Sequence, residues 1–360
     1  MTDRVLKVAV LAGDGIGQEV IPETLKVLEA ATRGRGVRFE WRECLVGGAS
    51  IDAHGLPLTD EVLETCRRSD AILLGAAGGP KWDDQPLALR PEKAVLSIRK
   101  TFGLFANLRP IWLPECLRHR TPLRPDLLEG GVDMLIVREL NFGLYFGERG
   151  RRPGPEGDIE AYDTCVYSEK AVEQVARVAF DAAGRRRKRL MSLDKSNVLE
   201  TSRLWREVVI RVGADYPDIE LRHQLIDSAT MVVVQRPTEL DVILANNEFG
   251  DIISDEASVL GGSLGMIPSA AIGPRPPFFY EPISGSAPDI AGQGIANPIG
   301  AILSGALMLR YSFEMEEAAA AIEQAVRRAL EAGHRTRDIA DRNEKSIGTQ
   351  EMTRRIIEAL

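Results

Sequence analysis

Short apolar runs rich in β-branched residues alternate along the chain with stretches whose apolar positions recur at helical spacing. VLKVAVLA opens the series. A helix near 18–33, the strand VRFEWRECL, a helix near 59–68 and the strand AILLGA follow. A second block runs through DMLIVREL (133–140), a charged helix near 168–183, RLMSLD, a helix near 200–213, ELRHQLID and DVILAN. The alternation predicts an α/β architecture with a largely parallel sheet. From about residue 297 the pattern turns almost entirely helical, through GAILSGALMLRYS and EMEEAAAAIEQAVRRALEAG, with Gly333 as the stop. The stretch GERGRRPGPEGDIEAYD (147–163) is rich in glycine, proline and charge and reads as an exposed excursion.

Bulk properties narrow the function classes. A chain of 360 residues is long enough for two domains, and 44% apolar with 27% charged residues is an ordinary soluble composition. A net charge of −8 argues against a general nucleic-acid binder. The one basic run, RRRKR at 185–189, reads as a solvated connection. Cys44, Cys66, Cys116 and Cys165 form no CxxC pair and suit a reducing compartment. The N-terminus lacks a leader-like stretch, and the longest apolar segment, IGAILSGALML, is too short to span a bilayer. A cytoplasmic protein without membrane or nucleic-acid partners is the expectation.

The stretch LAGDGIGQEV, following the first strand, raises the question of a phosphate-cradling turn. The dinucleotide fingerprint needs G-x-G-x-x-G, but position 18 is Gln, although Glu40 lies at a suitable distance for a ribose contact. The plainer reading is a strand-to-helix turn that needs positive φ and close approach at Gly13, Gly15 and Gly17.

Other residues carry chemical promise. In NNEFGDIISDEASVL, Asp251 and Asp255 stand at i,i+4, so on a helix both carboxylates share one face. They suit a divalent cation, or stand simply as solvated groups near a helix N-terminus. Asp227, ending the strand-like ELRHQLID, is a third candidate. Arg99, Arg109 and Arg138 sit in apolar surroundings, and a buried guanidinium needs an anion. Structural pairing with Glu92 or Glu139 is the plain alternative; three such arginines together favour a polycarboxylate substrate. Lys195 in SLDKSNVLE and Tyr145 in NFGLYFGE are proton-transfer candidates, each also readable as an ordinary lysine or tyrosine. The aperiodic EPISGSAPDIAGQGIANP (281–298) has the length of a functional loop.

GDGIG, LGAAGGPKWD, FANLRP, VREL…YFGE, DKSNVL, FGDIISDEAS, GSLGMIPSA and EPISGSAPDIAGQGIANP together resemble the β-decarboxylating hydroxyacid dehydrogenases. This is the isocitrate/isopropylmalate dehydrogenase family, and the resemblance is greatest to its branch acting on 3-isopropylmalate. It implies an α/β two-domain fold that is not Rossmann, with mixed sheets flanked by helices. One domain, residues 1–105 and 262–360, would carry the cofactor side. The other, 106–261, would carry the dimer interface and the metal and substrate residues.

The activity implied is NAD-dependent oxidation of the malate C2 hydroxyl followed by loss of the β-carboxylate. From 3-isopropylmalate this gives 4-methyl-2-oxopentanoate, the keto acid of leucine. By the same resemblance Arg99, Arg109 and Arg138 would clamp the malate carboxylates. Asp251 and Asp255, with Asp227 of a partner subunit, would hold Mg²⁺ or Mn²⁺. Lys195, also of the partner, would take the hydroxyl proton, and Tyr145 would help protonate the enolate, making a homodimer necessary for activity. Gly285, Ser286, Ala287, Asp289, Ile290 and Asn297, joined by Asp338, would bind the adenosine half of NAD, the Asp289 carboxylate repelling a 2′-phosphate.

Specificity is read from RPEKAVLSIRK. Relatives using isocitrate place Ser and Asn six and four residues before the arginine; here these are Lys93 and Val95. Val95 and Leu96, with Glu92 nearby, form an apolar wall that suits a branched alkyl group, while Lys93 could meet an acidic one. Ser284 replaces the family's usual His, Asn141 and Phe142 alter the loop before Tyr145, and Glu248 stands where an apolar residue is commoner. These departures leave open the same reaction on another 3-substituted malate, on tartrate or on homoisocitrate. A non-catalytic regulatory subunit is disfavoured because Tyr145, Lys195 and all three aspartates are present.

Overall fold

The computed structural model describes residues 4–360, and contacts divide the chain into two compact units. One unit comprises residues up to Leu104, Leu113–Pro122 and Ser258–Leu360; the other comprises Phe105–Trp112 and Leu123–Ala257. Leu113–Pro122 thus goes with the chain ends, not with the central part where the sequence reading counts it.

In the first unit, strands β1 (Arg4–Gly13), β2 (Val37–Glu43) and β3 (Ala71–Ala76) come from the N-terminal part. The second unit supplies β4 (Ala106–Trp112), β5 (Asp133–Glu139), the hairpin β6 (Arg149–Pro153) and β7 (Ile159–Asp163), β8 (Arg189–Asp194), β9 (Glu220–Leu225) and β10 (Val242–Ala245). Strands β11 (Pro268–Ile272) and β12 (Phe278–Pro282) return to the first unit. There the order is β2-β1-β3-β12-β11, with β11 alone antiparallel to its neighbour β12. In the second unit the order is β4-β5-β10-β8-β9, with β4 antiparallel to β5. The strands of each unit are therefore mixed in direction. The central strands β3 and β10 are buried at every position, as strands covered on both faces must be.

Helices α1 (Gly17–Thr32), α2 (Gly48–His54), α3 (Asp60–Arg67) and α4 (Glu92–Thr101) belong to the first unit. Helices α5 (Glu169–Gly184), α6 (Glu200–Gly213), α7 (Ile226–Gln235) and α8 (Asn247–Ser258) lie along the second. The chain closes in the first unit with α9 (Ile299–Tyr311), α10 (Glu316–Glu331) and α11 (Thr349–Glu358). α9 is apolar all round because it is buried nearly all round, and no helix among the described residues is long and apolar enough to cross a membrane.

Four local expectations are corrected. Asp227 does not end a strand: β9 stops at Leu225 and Asp227 occupies the first turn of α7. The excursion at 147–163 contains the antiparallel β6–β7 hairpin, in register Arg149 opposite Asp163. The almost entirely helical end is interrupted: α10 stops before Gly333 as expected, but residues 332–348 then form turns before α11. The basic run is not merely solvated. Arg186 Nε donates to the fully buried Asp241 carboxylate at 2.8 Å, so this connection clamps the start of β8 to β10.

Candidate active site

The opening turn is built for close approach. Gly13 and Gly15 have φ of 71° and 52°, and a Cβ on Gly17 would lie 2.1 Å from the Ala12 carbonyl oxygen. Gly17 thus does the tight helix–strand packing, and the Gln18 side chain donates to the Gly13 carbonyl. The buried Asp14 carboxylate accepts from the amides of Gly48, Ala49 and Gly78. The Ile16 amide donates to Ser286 O at 2.9 Å, and the Glu19 carboxylate accepts from the amides of Gly292 and Gly294. Ile16, Val20, Ala296 and Ala301 form an apolar cluster against Ala287, Ile290 and Ala291. The turn's work is to seat the loop some 270 residues later.

That loop is open where a ligand needs room. Gly285, Gly292 and Gly294 have positive φ, and a Cβ at any of them would meet nothing within 4 Å. Ala287 also has positive φ, at 38°, which is uncommon for a residue with a side chain. Ser286 is buried, whereas the Asp289 carboxylate is exposed. Asn297 is committed elsewhere: its Nδ2 donates to Asp338 at 3.0 Å and its Oδ1 accepts from the Ile299 amide. Its amide therefore fixes the start of α9.

On α4, Glu92, Val95, Leu96 and Arg99 follow at helical spacing on the side away from the buried Ala94 and Ile98. Glu92 and Lys93 are exposed, while Val95 and Leu96 are half-buried. Arg99 Nη2 donates to Glu281 on β12 at 2.6 Å, and both side chains are largely buried. Neither Glu92 nor Glu139 pairs with any of the three arginines; the plain alternative named the wrong carboxylates.

The second unit gathers the other two arginines onto α8. Arg109 on β4 donates from Nε to Asn107 Oδ1 and from Nη1 to Ser254 Oγ, both at 2.6 Å. It also reaches Asp251 and Asp255 at 3.7 Å each. Arg138 at the end of β5 donates from Nε and Nη2 to Asn247 Oδ1 and pairs through Nη1 with Asp251. Gly250 makes this possible, because a Cβ there would lie 2.7 Å from Arg138 Cγ. Tyr145 stacks its ring 5.8 Å from the Arg138 guanidinium carbon and donates from its hydroxyl to Asp251 at 3.2 Å. Partial burial raises the Tyr145 hydroxyl above its usual range, and the Asp251 charge adds to it. Partial desolvation also raises the Asp255 carboxyl, opposed by Arg109 and reinforced by Asp251.

Lys195 and Asp227 lie apart from this cluster but with each other. Lys195 Nζ donates to Asp227 Oδ1 at 2.6 Å, and this contact holds the Asp227 carboxyl below its ordinary range. Among the described residues no three His, Cys, Asp or Glu side chains converge as a metal site. Asp251 and Asp255 supply hard oxygen donors on one face of α8. Two such donors fit part of the shell of Mg²⁺ or Mn²⁺, with at least one more to come from outside this cluster.

The sequence profile of the isocitrate/isopropylmalate dehydrogenases matches residues 7–356. The chain belongs to the isocitrate/isopropylmalate dehydrogenase family. It is 53% identical to a 3-isopropylmalate dehydrogenase of Moorella thermoacetica, over 96% of each chain. It is 52% identical to the enzyme of that name from Heyndrickxia coagulans, over 99% of this chain and 96% of the other. Among solved structures it resembles an isocitrate dehydrogenase from Methylococcus capsulatus, with TM-score 0.87, 34% identity, and 98% and 99% of the two chains covered. The protein is thus an enzyme of a β-decarboxylating dehydrogenase family, whose chemistry implies a nicotinamide cofactor and a divalent metal. The regulatory-subunit and other-substrate alternatives find no favour in these relatives.

Several residues with evident work at this site escaped the sequence reading. Asn107, Ser254, Asn247 and Glu281 orient the arginines, and Tyr167 lies behind the Tyr145 loop beside Glu139, which the sequence offered only as an arginine's partner. Neutral amides and hydroxyls carry no periodicity signal. Only the flanking motifs FANLRP, NNEFGD and EPISG marked their neighbourhoods.

Proposed function

We infer that this protein catalyses the oxidative decarboxylation of 3-isopropylmalate to 4-methyl-2-oxopentanoate, the keto acid of leucine, with NAD as oxidant. The observation that supports it most is the arrangement of Arg109, Arg138 and Tyr145 around Asp251 and Asp255 on α8, in a chain whose relatives bear the isopropylmalate name. Arg99, Arg109 and Arg138 hold the two malate carboxylates. Asn107, Ser254 and Asn247 keep two of those guanidinium forks aimed, which lowers the entropy lost on binding. Val95 and Leu96 receive the isopropyl group, and their apolar surface penalises a third carboxylate.

Asp251 and Asp255, joined by Asp227 of a second copy, hold the divalent ion. When bound, the ion would supply Lewis-acid polarisation of the substrate's C2 oxygen, and a nicotinamide would supply the hydride acceptor. Lys195 of the second copy accepts the C2 hydroxyl proton. Carbon dioxide leaves from the β-carboxylate, its bonding electrons passing to the resulting enolate, and the Tyr145 hydroxyl gives a proton to C3. In the loop at 285–294 the exposed Asp289 carboxylate accepts from the adenosine ribose hydroxyls and repels a 2′-phosphate. Ser284 leaves this edge without the family's usual His.

A homodimer follows from this reading. Asp227, Met231 and Val234 recur along one exposed side of α7, and Ile252 is exposed beside Asp251 and Asp255 on α8. Apolar side chains flanking functional carboxylates are what a shared interface requires. The test is NADH formation by the purified protein with 3-isopropylmalate, NAD and Mg²⁺. Stoichiometric NADH and carbon dioxide are expected, and a folded dimer that yields neither overturns the reading.

A further inference from the structure

Arg138 and Glu139 are consecutive on β5, so their side chains leave opposite faces of the sheet. Arg138 is buried against α8, whereas Glu139 is fully buried behind the loop that carries Tyr145. The Glu139 carboxylate accepts from the amides of Asn141 at 2.6 Å and Phe142 at 3.0 Å, the first residues of that loop. The Tyr167 hydroxyl faces the same carboxylate. The same hydroxyl oxygen accepts from the Asn247 amide at 3.0 Å. Asn247, itself buried, receives two N–H groups of Arg138 on Oδ1 and donates from Nδ2 to the Phe142 carbonyl at 3.2 Å. The chain of bonds therefore closes on itself: from Arg138 to Asn247, from Asn247 to the Phe142 carbonyl, and from the Asn141 and Phe142 amides to Glu139, with Tyr167 held between Asn247 and the Glu139 carboxylate behind the loop that lays Tyr145 over Arg138.

We propose that Glu139, Tyr167 and Asn247 are positioning residues for the reaction, coupling the Tyr145 loop to the Arg138 guanidinium through one buried hydrogen-bonded ring. The proposal rests on the roles given above to Arg138 and Tyr145. Every link uses a buried group whose partner, if removed, leaves an unsatisfied donor or acceptor, so the ring holds as a unit. It ties backbone amides and a carbonyl at 141 and 142. Gly143, with φ of 79°, lies against the Tyr167 ring and leaves no space for a Cβ, so the ring and the loop register together. Burial pushes the Glu139 carboxyl up to about 7, opposed by the amides of Leu140, Asn141 and Phe142 and by Tyr167, the titratable group that faces it. The ring is complete when Glu139 is ionised and accepts from every donor; protonation puts an O–H among those donors and loosens the loop.

Glu139→Gln and Tyr167→Phe keep size and shape while breaking single links. In the full-length dimer, with folding checked by thermal melting, kcat with 3-isopropylmalate above neutral pH should fall by about tenfold or more in each. The KM for 3-isopropylmalate should rise while that for NAD stays within about twofold. The acid limb of the wild-type kcat profile, expected near 7, should disappear in Glu139→Gln, which a merely loosened fold would not cause. If either variant does not fold, the other decides. Parent-like kcat, KM and acid limb in the folded variants, beside a Tyr145→Phe variant that has lost activity, overturn the ring and leave the role of Tyr145 standing. A fully active Tyr145→Phe overturns the reading beneath the proposal and the proposal with it.

Discussion

Lys195 Nζ lies 2.6 Å from Asp227 Oδ1, from the end of β8 to the first turn of α7, and the pair is remote in sequence from the aspartates on α8. If both residues serve the second copy's site, they travel there as one unit. A mixture of Lys195→Ala and Asp251→Asn chains tests this. Each homodimer should be inactive, but a mixed dimer has one site with every residue intact. Random reassociation of equal amounts should restore about a quarter of wild-type activity. A site contained within one chain would leave the mixture dead.

Leu96 and Val95 carry the specificity argument. Leu96→Ala should lower kcat/KM for 3-isopropylmalate by roughly 10- to 200-fold, the value of about 1–3 kcal/mol for a small apolar contact. The loss should shrink for a malate with a smaller 3-substituent, measured in the same assay. Equal losses for both would remove Leu96 from the alkyl pocket.

Asp289 predicts cofactor preference. Asp289→Lys should cut kcat/KM with NAD by about tenfold or more and raise it with NADP, because the repelling charge becomes an attracting one. Unchanged selectivity would place the ribose contacts elsewhere.

Glu139 gives a stability signature independent of turnover. Its carboxyl is raised from 4.5 to about 7 in the folded chain, so between those values the native state binds more protons than the unfolded state. Stability from this group is full below about 4.5 and is lost as pH rises through 7, with a slope near 1 kcal/mol per pH unit within the window. Melting temperatures of wild type should fall across that window relative to Glu139→Gln, and parallel curves would contradict it.

Much of this architecture was legible because it is locally encoded. Helices α5 and α6 follow amphipathic stripes, and β3 and β5 are compact apolar runs, so their limits fall within a residue or so of the pattern. α7 was not legible. Its MVVVQ run has the β-branched character of a strand, yet Ala229, Val232 and Val233 are buried while Met231 and Val234 face out, and packing overrides propensity there. The arginines at 99, 109 and 138 announced themselves by charge amid apolar neighbours. Their partners Glu281, Ser254 and Asn247 lie more than 100 residues away and are found only once the chain is folded.

The central claim is the substrate. Steady-state kcat/KM should be measured with Mg²⁺ for 3-isopropylmalate, isocitrate and a malate bearing a longer or aromatic 3-substituent, each with NAD and with NADP. 3-Isopropylmalate with NAD should stand well above every other combination. A folded protein inert on 3-isopropylmalate but active on the longer or aromatic malate would contradict it.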